Sequence, residues 1–311
     1  MHVVRGLFAP LPTLRSPVAT LGAFDGVHRG HQRVLAETVA WAREAGGQPV
    51  AITFDPLPKA VVGPGGTLCI TSLPHRLLLL ERCGIEAAIV LPFDGQVATM
   101  PAERFVRDVL LGWLGTRRLV FGHDSTFGRG AEGNLDLLRA MEAEGVLEVR
   151  PPEPVLHQGA VISSTAIRQA IGSGDLDAAA AMLGRPFSLF GTVVGGSGRG
   201  RALGFPTANL DLHHEAIPPN GVYATLAHPG PQSRLALTYI GRRPTFEPAD
   251  APPIVEVHIL GFGGDLYGRD IEVQFVRKLR GDIRFPTPEA LVAQMQADRQ
   301  AVLDAAPLPK P

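Results

Sequence analysis

The sequence predicts an α/β domain with a parallel sheet, followed by a small antiparallel β-barrel closed by a carboxy-terminal helix. Three observations carry this. At 311 residues the chain is longer than one typical domain of roughly 100 to 200 residues. Its first half alternates β-rich runs with helical patterns, and its second half strings strands together without helices between them. The change of rhythm falls at Gly184-Arg185-Pro186, so residues 1–186 and 187–311 are read as two domains.

In the first half, strand-like runs at Pro17–Phe24, Val50–Phe54, Ala87–Leu91 and Arg118–Phe121 alternate with helical patterns. Those helices are Gln32–Ala45, Pro74–Cys83, Ala102–Leu114, Asn134–Glu144 and Asp175–Leu183. Asn134 and Asp175 are the caps of the last two. Such a βαβ order gives a parallel sheet covered on both faces. Beyond the break, Phe187–Val194, Val222–Ala227, Leu235–Tyr239, Ile254–Leu260 and Ile271–Val276 read as strands between Gly and Pro turns. Pro288–Leu303 reads as a helix, with Thr287 as its cap and proline at its first position.

Composition narrows the function. A net charge of −1 with scattered Lys and Arg lacks the basic footprint of a nucleic-acid binder, so small-molecule substrates are expected. No apolar run reaches the roughly 18 residues of a membrane span, and the first residues do not read as a signal peptide. A cytoplasmic protein is expected. Cys69 and Cys83 are the only cysteines, which excludes a disulfide framework and a multi-cysteine metal site. Both read as core fillers.

The first chemical constellation is Gly22-Ala23-Phe24-Asp25-Gly26-Val27-His28-Arg29-Gly30-His31, at the junction of a strand and a helix. A helix amino terminus offers unpaired N–H groups and a partial positive charge, and two histidines add donors, so the place suits a phosphate. Gly30 lets the phosphate approach the backbone. A metal reading lacks clustered Cys or His to complete the site. A second anion site is Ile162-Ser163-Ser164-Thr165-Ala166-Ile167-Arg168, three hydroxyls at a helix start with Arg168 one turn on.

The third constellation is the run Gly191–Asn209, rich in glycine and carrying Arg199 and Arg201. Neither common nucleotide-loop pattern is present in it. A flexible loop would account for the glycines alone, but Gly204-Phe205-Pro206-Thr207-Ala208-Asn209 follows. In an extended segment Thr207 and Asn209 point the same way, and two neutral oxygens of that kind suit Mg²⁺ held jointly with phosphates. Glu256 alternates with Val255 and Val257, which alone describes a solvent-facing carboxylate on an amphipathic strand. His213-His214-Glu215 reads as a solvated loop.

Taken together, the first two motifs resemble the HxGH nucleotidyltransferase superfamily in its flavin adenylyltransferase branch. Thr53-Phe54-Asp55-Pro56, Glu103-Arg104-Phe105 and Gly122-His123-Asp124-Ser125-Thr126-Phe127-Gly128 are further resembling pieces, departing from the pattern at Leu57, Ser125 and Thr126. The resemblance implies that His28 and His31 hold the α-phosphate of ATP, with Gly22, Phe24, Asp25 and Gly30 around it. It implies that Ser163, Ser164, Thr165 and Arg168 hold the outgoing phosphates, and that Asp124 and Phe127 face the flavin.

The second half resembles riboflavin kinase, whose signature stands here as Gly200-Arg201-Ala202-Leu203-Gly204-Phe205-Pro206-Thr207-Ala208-Asn209. Asn220-Gly221-Val222-Tyr223, Gly241-Arg242-Arg243-Pro244-Thr245-Phe246, Leu266-Tyr267-Gly268 and Lys278-Leu279-Arg280 extend it; Tyr239 and Asp282 depart from it. Here the resemblance implies phosphate binding by Gly196, Gly198, Arg201, Gly204 and Thr207, Mg²⁺ at Thr207 and Asn209, flavin contact at Arg280, and Glu256 as general base. In this order the two resemblances imply a bifunctional enzyme that turns riboflavin into FMN and FMN into FAD with ATP and Mg²⁺. A kinase with an inactive first domain and a non-catalytic flavin-binding regulator are the other readings.

Overall fold

The computed structural model describes residues 1–58, 68–196, 200, 203–213, 215–241 and 253–304. They form two compact units, Met1–Ser164 and Thr165–Pro311.

In the first unit six parallel strands stand in the order β1-β4-β3-β2-β5-β6: β1 His2–Arg5, β2 Val18–Leu21, β3 Pro49–Phe54, β4 Ala87–Leu91, β5 Arg118–Val120 and β6 Glu148–Arg150. Every residue of β2, β3 and β4 is buried, as a sheet covered on both faces demands. Alternate residues serve opposite layers. Ala19, Leu21, Val50 and Ile52 pack with Phe105, Val106 and Val109 of a wide-turn helical stretch, Phe105–Trp113. Val18 and Ala51 face α1 (Arg29–Glu44) and α2 (Leu73–Arg82), with Trp41, Leu35 and Leu80 filling the layer. The strand order reverses at β2, which pairs with β3 on one side and β5 on the other. The carboxy end of β2 is therefore the crevice where open α/β sheets bind ligands.

Helix α3, Leu135–Ala143, is capped by Asn134, whose side chain accepts from the Leu137 amide at 3.0 Å. A short hairpin, β7 Leu156–His157 and β8 Ala160–Val161, leads to α4, Ser164–Ser173. The expected strand Pro17–Phe24 ends early, at Leu21, because Phe24 and Val27 adopt φ of 50° and 39°, which no strand contains. Strands β1 and β6, at the two sheet edges, are absent from the sequence reading; each is short, and an exposed edge face gives no apolar run to detect.

The second unit continues α4 and adds α5, Leu176–Leu183, capped by Asp175 and ended by left-handed Gly184. Six antiparallel strands then close a barrel in the order β10-β13-β12-β11-β14-β9. They are β9 Ser188–Val194, β10 Ala208–Leu212, β11 Gly221–His228, β12 Arg234–Gly241, β13 Ile254–Ile259 and β14 Asp270–Arg280. Closure leaves no edge strand to protect. Tyr223, Phe187 and Phe275 fill the interior, with Tyr223 and Phe275 meeting edge to face at 5.2 Å. The solvated-loop reading of His213-His214-Glu215 is corrected at Glu215, which is buried and accepts the Phe190 amide at 2.9 Å, bracing β9; His214 lies outside the described residues. Cys69 and Cys83 are half-buried, Cys83 packing against the edge of the core and Cys69 lying outside it.

The last helix, α6 Pro288–Asp304, starts where expected, with Thr287 Oγ1 accepting from the Ala290 amide at 3.3 Å. It is fastened to β14 by Arg280, which reaches both carboxylate oxygens of Asp298 at 2.8–3.0 Å, and Gln294 completes the carboxylate's partners at 2.9 Å. The two charged side chains are only 17% and 7% exposed. Asp298→Ala strands that guanidinium, and should destabilise the second unit by about 3 kcal/mol, read by calorimetry of the full chain.

Candidate active sites on the two units

The turn after β2 is held by bonds that are far apart in sequence. Gly22 N donates to Ile52 O at 3.0 Å, and Asp25 Oδ1 accepts the amides of Ile70 and Thr71 at 2.8 and 3.1 Å. Gly26 N donates to Thr71 Oγ1 at 2.9 Å, and Ser164 Oγ donates to Asp25 O at 3.0 Å. The last bond joins the two phosphate-suited motifs of this unit. Ser163 is exposed beside it. Thr165 and Arg168 continue along α4 in the second unit, Arg168 one turn beyond Ser164.

The histidines stack at the start of α1, ring centroids 3.6 Å apart and 19° from parallel. His28 caps the helix, its Nδ1 accepting from the His31 amide at 3.3 Å, which leaves Nε2 as the protonated nitrogen of the neutral ring. Phe24, 1% exposed, meets the His31 ring edge to face at 5.3 Å. A Cβ at Gly30 would lie 3.2 Å from the His28 ring, so glycine there leaves room for the stacked imidazole. His31 Nδ1 is shut off from solvent with no hydrogen-bond partner. Burial, then His28, then the Arg76 guanidinium push the His31 pKa well below 6.5. His31 is thus a neutral donor at physiological pH.

Arg76 is a residue that sequence reading missed. It is 1% exposed, and its Nη1 donates to Ala23 O at 2.9 Å, Thr53 Oγ1 at 3.0 Å and Phe54 O at 3.0 Å. The available signal is its place on the apolar stripe Leu73, Arg76, Leu80 of α2, where a cation is out of keeping. Asp124 is exposed in the loop after β5, whereas Phe127 is 7% exposed and packs on Phe105 and Phe121 at 5.7 and 5.5 Å.

On the barrel, register places a row of side chains across five strands of the outer face. Asn209 pairs with Glu256, Glu256 with Tyr239, Tyr239 with Val222, and Val222 with Arg280. Directly opposed residues share a face. Glu256, Tyr239, Val222 and Arg280 line a cavity of about 320 Å³ with Thr207, and Ile283, Phe285, Leu291 and Met295 form its apolar walls. The Tyr239 hydroxyl is pushed up to about 12 by burial, then by Asp282, to which it hydrogen-bonds. Arg280 lies 5.8 Å from the Phe285 ring while paired to Asp298. A second cavity of about 380 Å³ is lined by Val193, Val257, Phe262, Gly263 and Gly264, and again by Thr207. Thr207 is therefore common to both.

The glycine-rich segment is described only at its ends: Gly198 and Arg201 lie outside the described residues. A Cβ at Gly196 would fall 2.0 Å from Asn209 Nδ2, so glycine is required for Asn209 to sit where it does. Gly200 O accepts from Phe205 N at 2.8 Å, and Gly204 is left-handed at φ 84°. Together these return the loop onto Thr207. Among the described residues no three His, Cys, Asp or Glu side chains cluster to hold a metal. Thr207 and Asn209, flanking Ala208 on one extended segment, fit a cation held jointly with phosphates.

Comparison with known proteins shows the family. A family model for FAD synthetase matches residues 12–166, and one for riboflavin kinase matches residues 183–306. The bifunctional riboflavin kinase/FMN adenylyltransferase of Pseudomonas fluorescens is 36% identical over 304 residues, 96% of each chain. The chain belongs to the bifunctional riboflavin kinase/FMN adenylyltransferase family. The Escherichia coli K12 relative of the same description is 35% identical over 94% of each chain. A crystal structure from Streptococcus pneumoniae, described as a macrolide-efflux protein, is 31% identical with a TM-score of 0.83, covering 98% of this chain and 100% of that one. The family's activities are riboflavin kinase and FMN adenylyltransferase, both using ATP. No helix among the described residues is long and apolar enough to cross a membrane.

The His31 environment gives a pH dependence. Folding keeps His31 neutral, while in the unfolded chain it protonates near pH 6.5. Below that pH the unfolded state binds the extra proton, so this contribution to stability is whole above 6.5 and declines as the pH falls. Thermal unfolding of the first unit, which holds both Trp41 and Trp113 and so reports by tryptophan fluorescence, should shift to lower temperature between pH 6.5 and 5. His31→Gln should flatten that slope.

Proposed function

We propose that the two reactions divide between the two halves at about residue 186, and that Thr207, in the wall shared by two cavities, carries the assignment of the kinase site. Riboflavin takes the cavity beside Glu256, whose apolar walls suit a planar ring system, with Arg280 bordering it. ATP takes the cavity beside Gly263 and Gly264. Gly196, Gly198, Arg201, Gly204 and Thr207 hold its phosphates. Glu256 accepts the proton of the riboflavin primary alcohol as its oxygen bonds to the γ-phosphorus; the bond from that phosphorus to the β-phosphate oxygen breaks, and ADP departs. Mg²⁺ bound with the phosphates at Thr207 and Asn209 supplies charge neutralisation.

In the other half, the Nε2–H groups of His28 and His31 donate to the α-phosphate of ATP, which Gly22, Phe24, Asp25 and Gly30 frame. A phosphate oxygen of FMN bonds to the α-phosphorus, and pyrophosphate leaves toward Ser163, Ser164, Thr165 and Arg168. Neutral donors suffice because the charge to be stabilised is on the phosphate and develops at fixed positions. Asp124 faces the flavin, and Phe127 supports it from the core. The substrates are small, soluble molecules, with neither nucleic acid nor membrane as partner, and the enzyme works in the cytoplasm.

Chromatography of products from riboflavin, ATP and Mg²⁺ tests this directly: FMN and then FAD are expected, and FMN alone would reject adenylyl transfer by the first half. His31→Ala should slow FAD formation from FMN by about a hundredfold or more, the scale of one lost transition-state donor, and spare FMN formation. Glu256→Gln should do the reverse, lowering FMN formation by roughly 10² to 10⁴ while FAD formation from supplied FMN survives. A Glu256→Gln protein that phosphorylates riboflavin at the parent rate returns Glu256 to an exposed strand carboxylate.

A further inference from the structure

Among the described residues Arg76 is the one buried Lys or Arg. Burying a guanidinium is costly, and α2 could fill the same space with a Met or Leu at no such cost. Even so, the cation is kept with its Nε unpartnered. The three acceptors of its Nη1 belong to the rim of the adenylyl-transfer site: the carbonyl of Ala23, the hydroxyl of Thr53 and the carbonyl of Phe54. The Thr53 hydroxyl in turn donates to Ala23 O at 3.1 Å, which closes a small ring of bonds between the end of β3 and the turn after β2.

That turn is where the backbone is strained. Phe24 follows Ala23 at φ 50°, and Val27, a β-branched residue, stands at φ 39°. Non-glycine residues hold such angles only when their surroundings over-determine them. His28 follows Val27 at once, and its stacking on His31 depends on the path the turn takes.

We propose that Arg76 is a positioning residue for adenylyl transfer: it pins the entry of the Gly22–His31 turn to the end of β3 and so fixes the strained path that stacks His28 on His31. This rests on the reading that the histidine pair serves FAD formation. Arg76 touches neither the substrate nor the reacting atoms in this role. Its effect passes through Ala23 and the turn.

The test uses the full chain, with riboflavin phosphorylation as the internal control. Arg76→Met, which keeps the stem and removes charge and donors, should lower kcat for FAD formation tenfold or more, leave KM for FMN within about threefold, and leave FMN formation unchanged. The His31 ring, identified in the NMR spectrum by its loss in His31→Ala, should titrate at higher pH in Arg76→Met. The groups facing it are His28 and Arg76, with Asp25, Asp55 and Cys69 around the guanidinium. Arg76→Lys, whose ammonium offers three donors to the same three oxygens, should restore most of kcat and the parent titration. Thr53→Val carries the test should Arg76→Met not fold, with a three- to tenfold fall in kcat expected.

A folded Arg76→Met or Thr53→Val protein making FAD at the parent rate overturns the proposal. So does an inactive Arg76→Met protein whose His31 titration is unmoved, because the loss would then bypass the histidines. Should His31→Ala itself keep full FAD formation, the histidine reading fails instead, which separates the two.

Discussion

The first site hangs on Asp25, one buried residue that ties its own turn to two distant stretches of chain. Its carboxylate takes the amides of Ile70 and Thr71, and its carbonyl takes the Ser164 hydroxyl. Without that side chain two buried N–H groups would lose their partner, each a loss of about 1–3 kcal/mol. The loop at Ile70–Thr71 and the start of α4 are therefore placed by the same residue that shapes the histidine turn. A carboxylate in this role spends its oxygen on backbone amides and so organises the loop beside the histidine turn.

The barrel solves a similar problem by different means. Antiparallel closure fixes register around the whole circumference, and register alone lines up Asn209, Glu256, Tyr239, Val222 and Arg280. The polar outer face that results would be solvated on an isolated barrel. Helix α6 and the segment at Ile283–Phe285 turn it into a cavity, and the Arg280–Asp298 pair keeps that wall in place. Closure also frees the interior from functional duty. Tyr223, Phe187 and Phe275 pack there, while the cavity lies on the outer face.

Both sites put backbone where side chains would obstruct. At Gly196 a Cβ would fall on the Asn209 side chain, and at Gly30 it would crowd the His28 ring. Glycine in these loops serves the fit of neighbouring side chains. Tyr239 and Asp282, two departures from the family's pattern, prove to be hydrogen-bonded to one another in the lining of the cavity beside Glu256. Each accounts for the other.

By itself the sequence determined the elements whose signals are local. Buried parallel strands read as apolar runs, caps such as Asn134 and Thr287 read from one side chain and the helix after it, and motif residues declared their types and spacing. The short edge strands β1 and β6 escaped because their stability comes from neighbours. Glu256 looked like an exposed strand carboxylate because periodicity assigns a face and cannot say what covers it. Only the tertiary structure decided that α6 covers it, that Ser164 meets Asp25 across 139 residues, and that Arg76 lies buried behind the histidines. Those facts arise from contacts between segments far apart in the chain, whose free energy depends on mutual distance and exclusion of water, and neither quantity is written in the order of residues.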